Sequence, residues 1–133
     1  MRERLRSARV ARLATVNADG SAHIVPIVFA LDADTMYTAV DEKPKRSREL
    51  RRLANINRDP RATVLVDDYT EEWEDLWWVR VDGRARLLAG GAEFDLALDR
   101  LQVRYEQYRS ARPAGPVIAL DIERWRGWHA RLP

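Results

Sequence analysis

Between Leu76 and Leu88 the chain changes chemical character at every residue. Trp77, Val79, Val81, Ala85 and Leu87 fall on one side of an extended strand, and Trp78, Arg80, Asp82, Arg84 and Arg86 fall on the other. A period of two over this length commits the segment to a β-strand with one face turned to a core. Gly83, inside the run, marks a bend or bulge. Whatever else the chain forms must supply this strand with neighbours.

Those neighbours are legible on both sides. Residues 10–16 are rich in β-compatible side chains and end at Asn17-Ala-Asp-Gly20, a strong turn signal. Residues 22–30 follow as the return strand of a hairpin, with Pro26 in the middle. Proline cannot donate to a ladder, so this strand is expected to carry a free edge or a bulge, leaving backbone groups open to a ligand. Asp32-Ala-Asp34 makes the next turn and residues 35–40 a third strand. Residues 61–67 form a buried-looking strand around Val64, Leu65 and Val66, and residues 117–125 a last one.

Three helices are expected. Residues 2–7 form a short one. A second runs from Lys45 or Ser47 to Asn57, with Leu50 and Leu53 on one side and Arg48, Arg51, Arg52 and Asn55 on others, and Asp59-Pro60 stops it. A third opens after Gly90-Gly91 and carries Phe94, Leu98, Leu101, Tyr105 and Tyr108 as one apolar stripe over about four turns. The order ββ-β-α-β-β-α-β, with hairpin-length early connections, describes a mostly β fold: an antiparallel β-barrel with peripheral helices. The 133 residues are read as a single domain spanning 1–133.

Composition narrows the function classes. The absence of cysteine excludes disulfides, thiolate metal sites and thiol nucleophiles, and suits an intracellular, cytoplasmic protein. No stretch approaches the roughly 18 apolar residues of a membrane span. The net charge of +2 argues against a nucleic-acid coat, but the charges are segregated. Residues 43–52 hold six bases and one acid, whereas residues 67–75 hold six acids and no base. The basic segment, Lys43-Pro-Lys-Arg-Ser-Arg-Glu-Leu-Arg-Arg52, stands at a strand-to-helix junction, where unpaired N–H groups and the helix dipole favour phosphate or carboxylate. A solvated helix face is the plain alternative.

Two aromatic features accompany it. Trp77 and Trp78 must point to opposite faces, so one packs inward while the other meets a partner or a ring, unless both serve a core or interface. Arg124-Trp-Arg-Gly-Trp-His129 reads either as a tail docked across a subunit boundary or as a local cation–π cluster. The two histidines, His23 and His129, have no metal spacing, and the acidic segment lacks the ligand pattern of a calcium loop. No nucleophile elbow, triad or phosphate-binding glycine loop is present. No catalytic side chain stands out, which suits a protein whose cofactor performs the chemistry.

Val10 to Phe29 resembles the opening hairpin of the pyridoxamine 5'-phosphate oxidase-like split β-barrel superfamily, and Arg52 to Val66 resembles its helix-then-strand segment. The Lys-Pro-Lys-Arg and Trp-Trp elements look most like an actinobacterial branch, the deazaflavin-dependent (coenzyme F420) oxidoreductases. The resemblance implies a split β-barrel of the FMN-binding type, a homodimer, and cofactor clefts at the subunit interface. It implies that Val25, Pro26 and Ile27 lie along the tricyclic ring through their backbone groups, with Tyr37 to Val40 as the neighbouring wall. Lys43, Lys45, Arg46 and Arg52 would hold the phosphate and the oligoglutamate tail, and Trp77, Trp78, Trp125 and Arg126 would reach over from the partner subunit. The implied activity is hydride transfer between coenzyme F420 and a small organic substrate. An FMN-dependent oxidase-like protein and a non-catalytic flavin carrier are the alternatives.

Overall fold

The computed structural model describes residues 1–40 and 46–130, residues 46–50 through their backbone. Its centre is a seven-stranded, wholly antiparallel sheet formed by β1 (Ala11–Val16), β2 (Ala22–Ile27), β3 (Ala30–Asp32), β4 (Thr35–Ala39), β5 (Arg61–Asp68), β6 (Trp77–Leu88) and β7 (Val117–His129). The spatial order is β2-β1-β5-β6-β7-β4-β3. Helices α1 (Arg2–Ser7), α2 (Arg46–Arg58), α3 (Ala92–Arg104) and α4 (Glu106–Ser110) lie around it, with one 3-10 turn at Trp73–Asp75.

The alternation of β6 is realised as written in the sequence. Val79, Val81 and Ala85 are buried, and Trp77 and Leu87 pack on the same core. That core draws Leu13 from β1, Ile27 from β2, Met36 from β4, Val64 and Val66 from β5 and Leu120 from β7. Strands from both ends of the order thus share one interior, so the sheet curls around it. At about 1.5–3 kcal/mol per large apolar side chain removed from water, this interior is the main force holding the curl. The β6–β7 ladder runs from Trp77↔His129 to Leu88↔Val117 and shifts register between Asp82 and Gly83. Gly83 is required there, since a Cβ would come within 2.0 Å of the Asp121 carbonyl oxygen.

The expected barrel is not closed by hydrogen bonds. β2 pairs with β1 and β3 with β4, and no ladder joins β2 to β3 among the described residues. The single strand expected over 22–30 is broken instead at Val28 and Phe29, so the gap is crossed by the chain itself. The physical reason is Tyr105. Its hydroxyl accepts the Phe29 N–H at 3.1 Å and stands 2.9 Å from the Arg9 carbonyl, replacing the ladder at the bend. The third helix differs for a connected reason. It is two helices, because Tyr105 adopts an extended backbone (φ −122°, ψ 117°) that ends α3 before α4 starts.

Two further expectations are corrected. β7 continues past Trp125 to His129, held by its ladder with β6 rather than by burial of its own side chains. Asn55, expected on an outward side of the helix, is 3% exposed. The Pro26 expectation fits the order of strands, because β2 is an edge strand and the missing N–H costs no central ladder bond.

The outer face of the sheet is finished differently along its width. α3 covers β3, β4 and the start of β7, forming a second core of Tyr37, Ala39, Ala97, Leu98, Leu101, Tyr105, Val117 and Ala119. The outer residues of β2, β1, β5, the first part of β6 and the end of β7 have none of the described helices over them. None of the described helices is long and apolar enough to cross a membrane.

Candidate functional site

α2 is the element on which the basic segment converges. It starts at Arg46, and its first turn has N–H groups without intrahelical acceptors, as every helix does. Its far half is bolted to the β1–β2 hairpin. The buried Asn55 side chain donates to Thr15 Oγ1 at 3.1 Å and to Asn17 Oδ1 at 3.0 Å, and receives Arg58 at 3.0 Å. An asparagine in mid-helix is a poor helix former, and that was the available signal for a tertiary role. Arg51 is exposed and Arg52 half-buried. Burial, and then the charges of Arg51 and Arg52, hold the nearby His23 imidazole below its ordinary pKa. This donor set of guanidinium and helix N–H groups suits phosphates and carboxylates.

The proposed ring wall is placed in two ways. Val25 is half-buried and Ile27 buried against the core, while Pro26, between them, is exposed on the edge strand. Tyr37 and Val40 are both buried, Tyr37 beneath α3 and Val40 in the main core. The Tyr37 hydroxyl donates to Glu93 Oε2 at 2.8 Å, and burial together with that carboxylate raises its pKa. Ile27, Tyr37 and Val40 therefore have no exposed side chain to offer a ligand. Tyr37 is paired on both sides, with Ala30 and Ala119, and the Val40 N–H donates to the Pro116 carbonyl at 2.8 Å. Lys43 and Lys45 lie outside the described residues, as does the side chain of Arg46.

The four distal residues do not form one group. Trp77 and Trp125 are on the inner face, where Arg4 and Arg2 of α1 each stand 4.7 Å from the respective ring centroid. Trp125 thus takes part in a cation–π contact, but not the local one expected within its own segment, since its cation is Arg2 from the other end of the chain. Trp78 and Arg126 are on the outer face, directly across the ladder from Trp128 and Arg80.

That outer face also carries a groove of about 850 Å³, which the sequence did not signal. Its floor is made of small side chains, among them Ala14, Val16, Ala22 and Thr63, and its rim of Arg61, Arg84 and Arg124. Thr63 Oγ1 donates to Asp82 Oδ1 at 2.8 Å across the floor. Ile24, 62% exposed, and the partly exposed Leu65 and Trp128 occupy the same uncovered surface.

A sequence model of the family described as pyridoxamine 5'-phosphate oxidase matches residues 1–129. No curated protein matches the chain. Among solved structures, a conserved hypothetical protein from Mycobacterium tuberculosis superposes with a TM-score of 0.79 at 20% identity, over 98% of this chain and 85% of that one. An FAD-binding protein from Mesorhizobium loti gives 0.72 at 23% identity, over 95% and 89%. The heme storage protein of Vibrio cholerae gives 0.71 at 13% identity, over 96% and 90%. At these identities the likenesses establish the fold.

Proposed function

The chain belongs to the pyridoxamine 5'-phosphate oxidase family, and from that premise we propose that it is a homodimeric oxidoreductase using coenzyme F420. The observation that supports this most is the set of six bases at residues 43–52, carried into the start of α2, in a chain of net charge +2. FMN needs one compact phosphate pocket. A run of cations that continues from Lys43 into the first two turns of α2 suits a cofactor with a phosphate and a polycarboxylate tail.

Lys43, Lys45, Arg46 and Arg52 hold the phosphate and tail in this reading. Val25, Pro26 and Ile27 give the ring the free edge of β2, and the backbone of residues 37–40 forms the neighbouring wall. When bound, the deazaflavin supplies a ring carbon that carries hydride to or from an organic substrate. The protein aligns donor and acceptor, excludes water and neutralises the tail, and solvent delivers the proton. Trp78 and Arg126, on the uncovered outer face, are the distal residues suited to reach a second copy. Trp77 and Trp125 support their strand ends from within. The homodimer draws support from that same face, where Ile24, Leu65 and Trp128 stand in water.

The test is a side-by-side titration of the purified protein with coenzyme F420 and with FMN, followed by tryptophan fluorescence. Tighter binding of F420 is expected. Replacing Lys45 and Arg46 with alanine should weaken it by several kcal/mol in total, at about 1.5–3 per charged hydrogen bond lost. Preference for FMN would transfer the reading to an FMN-dependent oxidase-like activity, and binding of neither would end it.

A further inference from the structure

A second cavity, of about 450 Å³, lies between α2 and the β1–β2 turn. On the helix side Arg51, Asn55 and Arg58 recur at i, i+4 and i+7, so they share one face. On the turn side stand Asn17, Asp19 and Ser21. One chain of hydrogen bonds joins the two sides. Arg58 Nη2–H donates to Asn55 Oδ1 at 3.0 Å, and Asn55 Nδ2–H to Asn17 Oδ1 at 3.0 Å. Asn17 Nδ2–H donates to Ser21 Oγ at 3.1 Å, and Ser21 Oγ–H to Asp19 Oδ1 at 2.6 Å. The Ser21 hydroxyl, and then the Ser21 N–H, hold the Asp19 carboxyl below its ordinary pKa, so it is ionised at neutral pH. Arg51 is the exception in this set. It is exposed and makes no hydrogen bond or ion pair with a described residue, while its charge acts on both Asp19 and His23.

Pinning the helix to the turn needs the hydrogen-bonded chain, but neither the void nor an unpaired guanidinium beside it. A ligand for the cavity has to suit both of its sides. Arg51, and Arg58 through its Nη1, offer donors to an anion, whereas the exposed Asp19 carboxylate accepts. A phosphate dianion brings acceptors only and would meet the Asp19 charge. A carboxylate next to an N–H answers both sides, and a glutamyl unit of the F420 tail carries that pair as its free carboxylate and its amide N–H. Arg51 lies about 8 Å along the helix axis from Arg46, so a tail whose phosphate sits at the head of α2 runs down the helix toward the cavity. We propose that this cavity is a glutamyl subsite, in which Arg51 and Arg58 take the carboxylate of a distal tail unit and Asp19 takes its amide N–H. The inference rests on the F420 reading of the preceding section. It adds a means of sensing tail length, on residues other than those that hold the phosphate there.

Calorimetric titration with F420 stripped of its glutamates, with F420 bearing a long tail and with FMN tests this. The long-tailed form should bind about tenfold more tightly than the tail-less one, the size of one charge-assisted hydrogen bond. Arg51→Gln should remove most of that gain, bringing the long-tailed form down toward the tail-less one, and Arg51→Lys should return part of it. Arg51 is exposed, so the fold is kept, and an unchanged urea-unfolding midpoint verifies this. Equal affinity of the two F420 forms, or a gain that survives Arg51→Gln, would overturn the subsite while leaving F420 as the cofactor. Binding of neither F420 form, or a preference for FMN, would overturn the subsite together with the reading on which it rests.

Discussion

Over β4 and the start of β7 the outer side chains are Tyr37, Ala39, Val117 and Ala119, and α3 lies on them; over β1, β5 and β6 they are Arg12, Thr63, Leu65, Arg80 and Asp82, and none of the described helices lies on these. The first group leaves its strands apolar on both faces, which is why β4 is buried from Met36 to Ala39 without alternation. The second keeps the alternating pattern of a strand wet on one side. A polar network seals the covered half at its border. Arg86 donates to both carboxylate oxygens of Glu93 at 2.9 Å and to Asp121 at 2.6 and 2.9 Å, and Tyr37 completes it. The contrast teaches that a single alternating sheet can be half finished by its own helices and still leave a surface with a groove for something else.

The covered half should be the costly one to damage. Leu101→Ala removes a side chain that is 0% exposed, and should cost about 2–5 kcal/mol in urea unfolding. A cost below about 1 kcal/mol would mean that α3 is a loose cover and the comparison fails. Arg86→Ala strips two carboxylates of their shared partner. It should cost about 1–2 kcal/mol, allowing for the exposure of this border network.

The same network sets a pH dependence. The Arg86 guanidinium, and then the Tyr37 hydroxyl, hold the Glu93 carboxyl at about 2, below its ordinary 4.5. A lowered folded pKa stabilises fully above pH 4.5, and that stability is lost as pH falls toward 2. Wild-type unfolding free energy should therefore fall across this window more steeply than that of Glu93→Gln, and parallel curves would remove Glu93 from the account. The smallest stability effect belongs to the uncovered half. Leu65→Ser should change monomer stability by no more than about 0.5 kcal/mol while weakening association measured by sedimentation. A large stability loss without a change in association would make Leu65 a core residue and blur the two halves into one.

Much of this was written in the sequence where a single local rule governed. The β6 alternation, the shift at Gly83, the hairpin at Asn17–Gly20 and the edge position of Pro26 each follow from the residue's own backbone chemistry. Two of the misses, the broken strand at residues 22–30 and the divided third helix, share a cause in Tyr105. Its place in the apolar stripe is kept, so periodicity alone continues the helix through it. Only the fold brings its hydroxyl to Phe29, 76 residues away, where it breaks a strand and makes room for its own helix end. The candidate site divides likewise. The basic run and the proline edge are local and legible. The burial of Ile27, Tyr37 and Val40, the opposite faces of Trp125 and Arg126 relative to a core, and the groove all depend on which strands become neighbours.

β4 has one neighbour of its own generation, β3, and its other ladder waits for β7, so that Thr35 meets Asp121 across 86 residues of chain. Pairings that close so long a loop are paid in chain entropy before they return any contact, which places them late in assembly. α3 has no complete surface to cover until that ladder forms. Leu101 should accordingly show a φ-value near zero in folding kinetics, while Val64 on the β1–β5–β6 side shows a substantial one. The half of the molecule that is best protected in the finished fold is thus the half whose assembly the strand order defers.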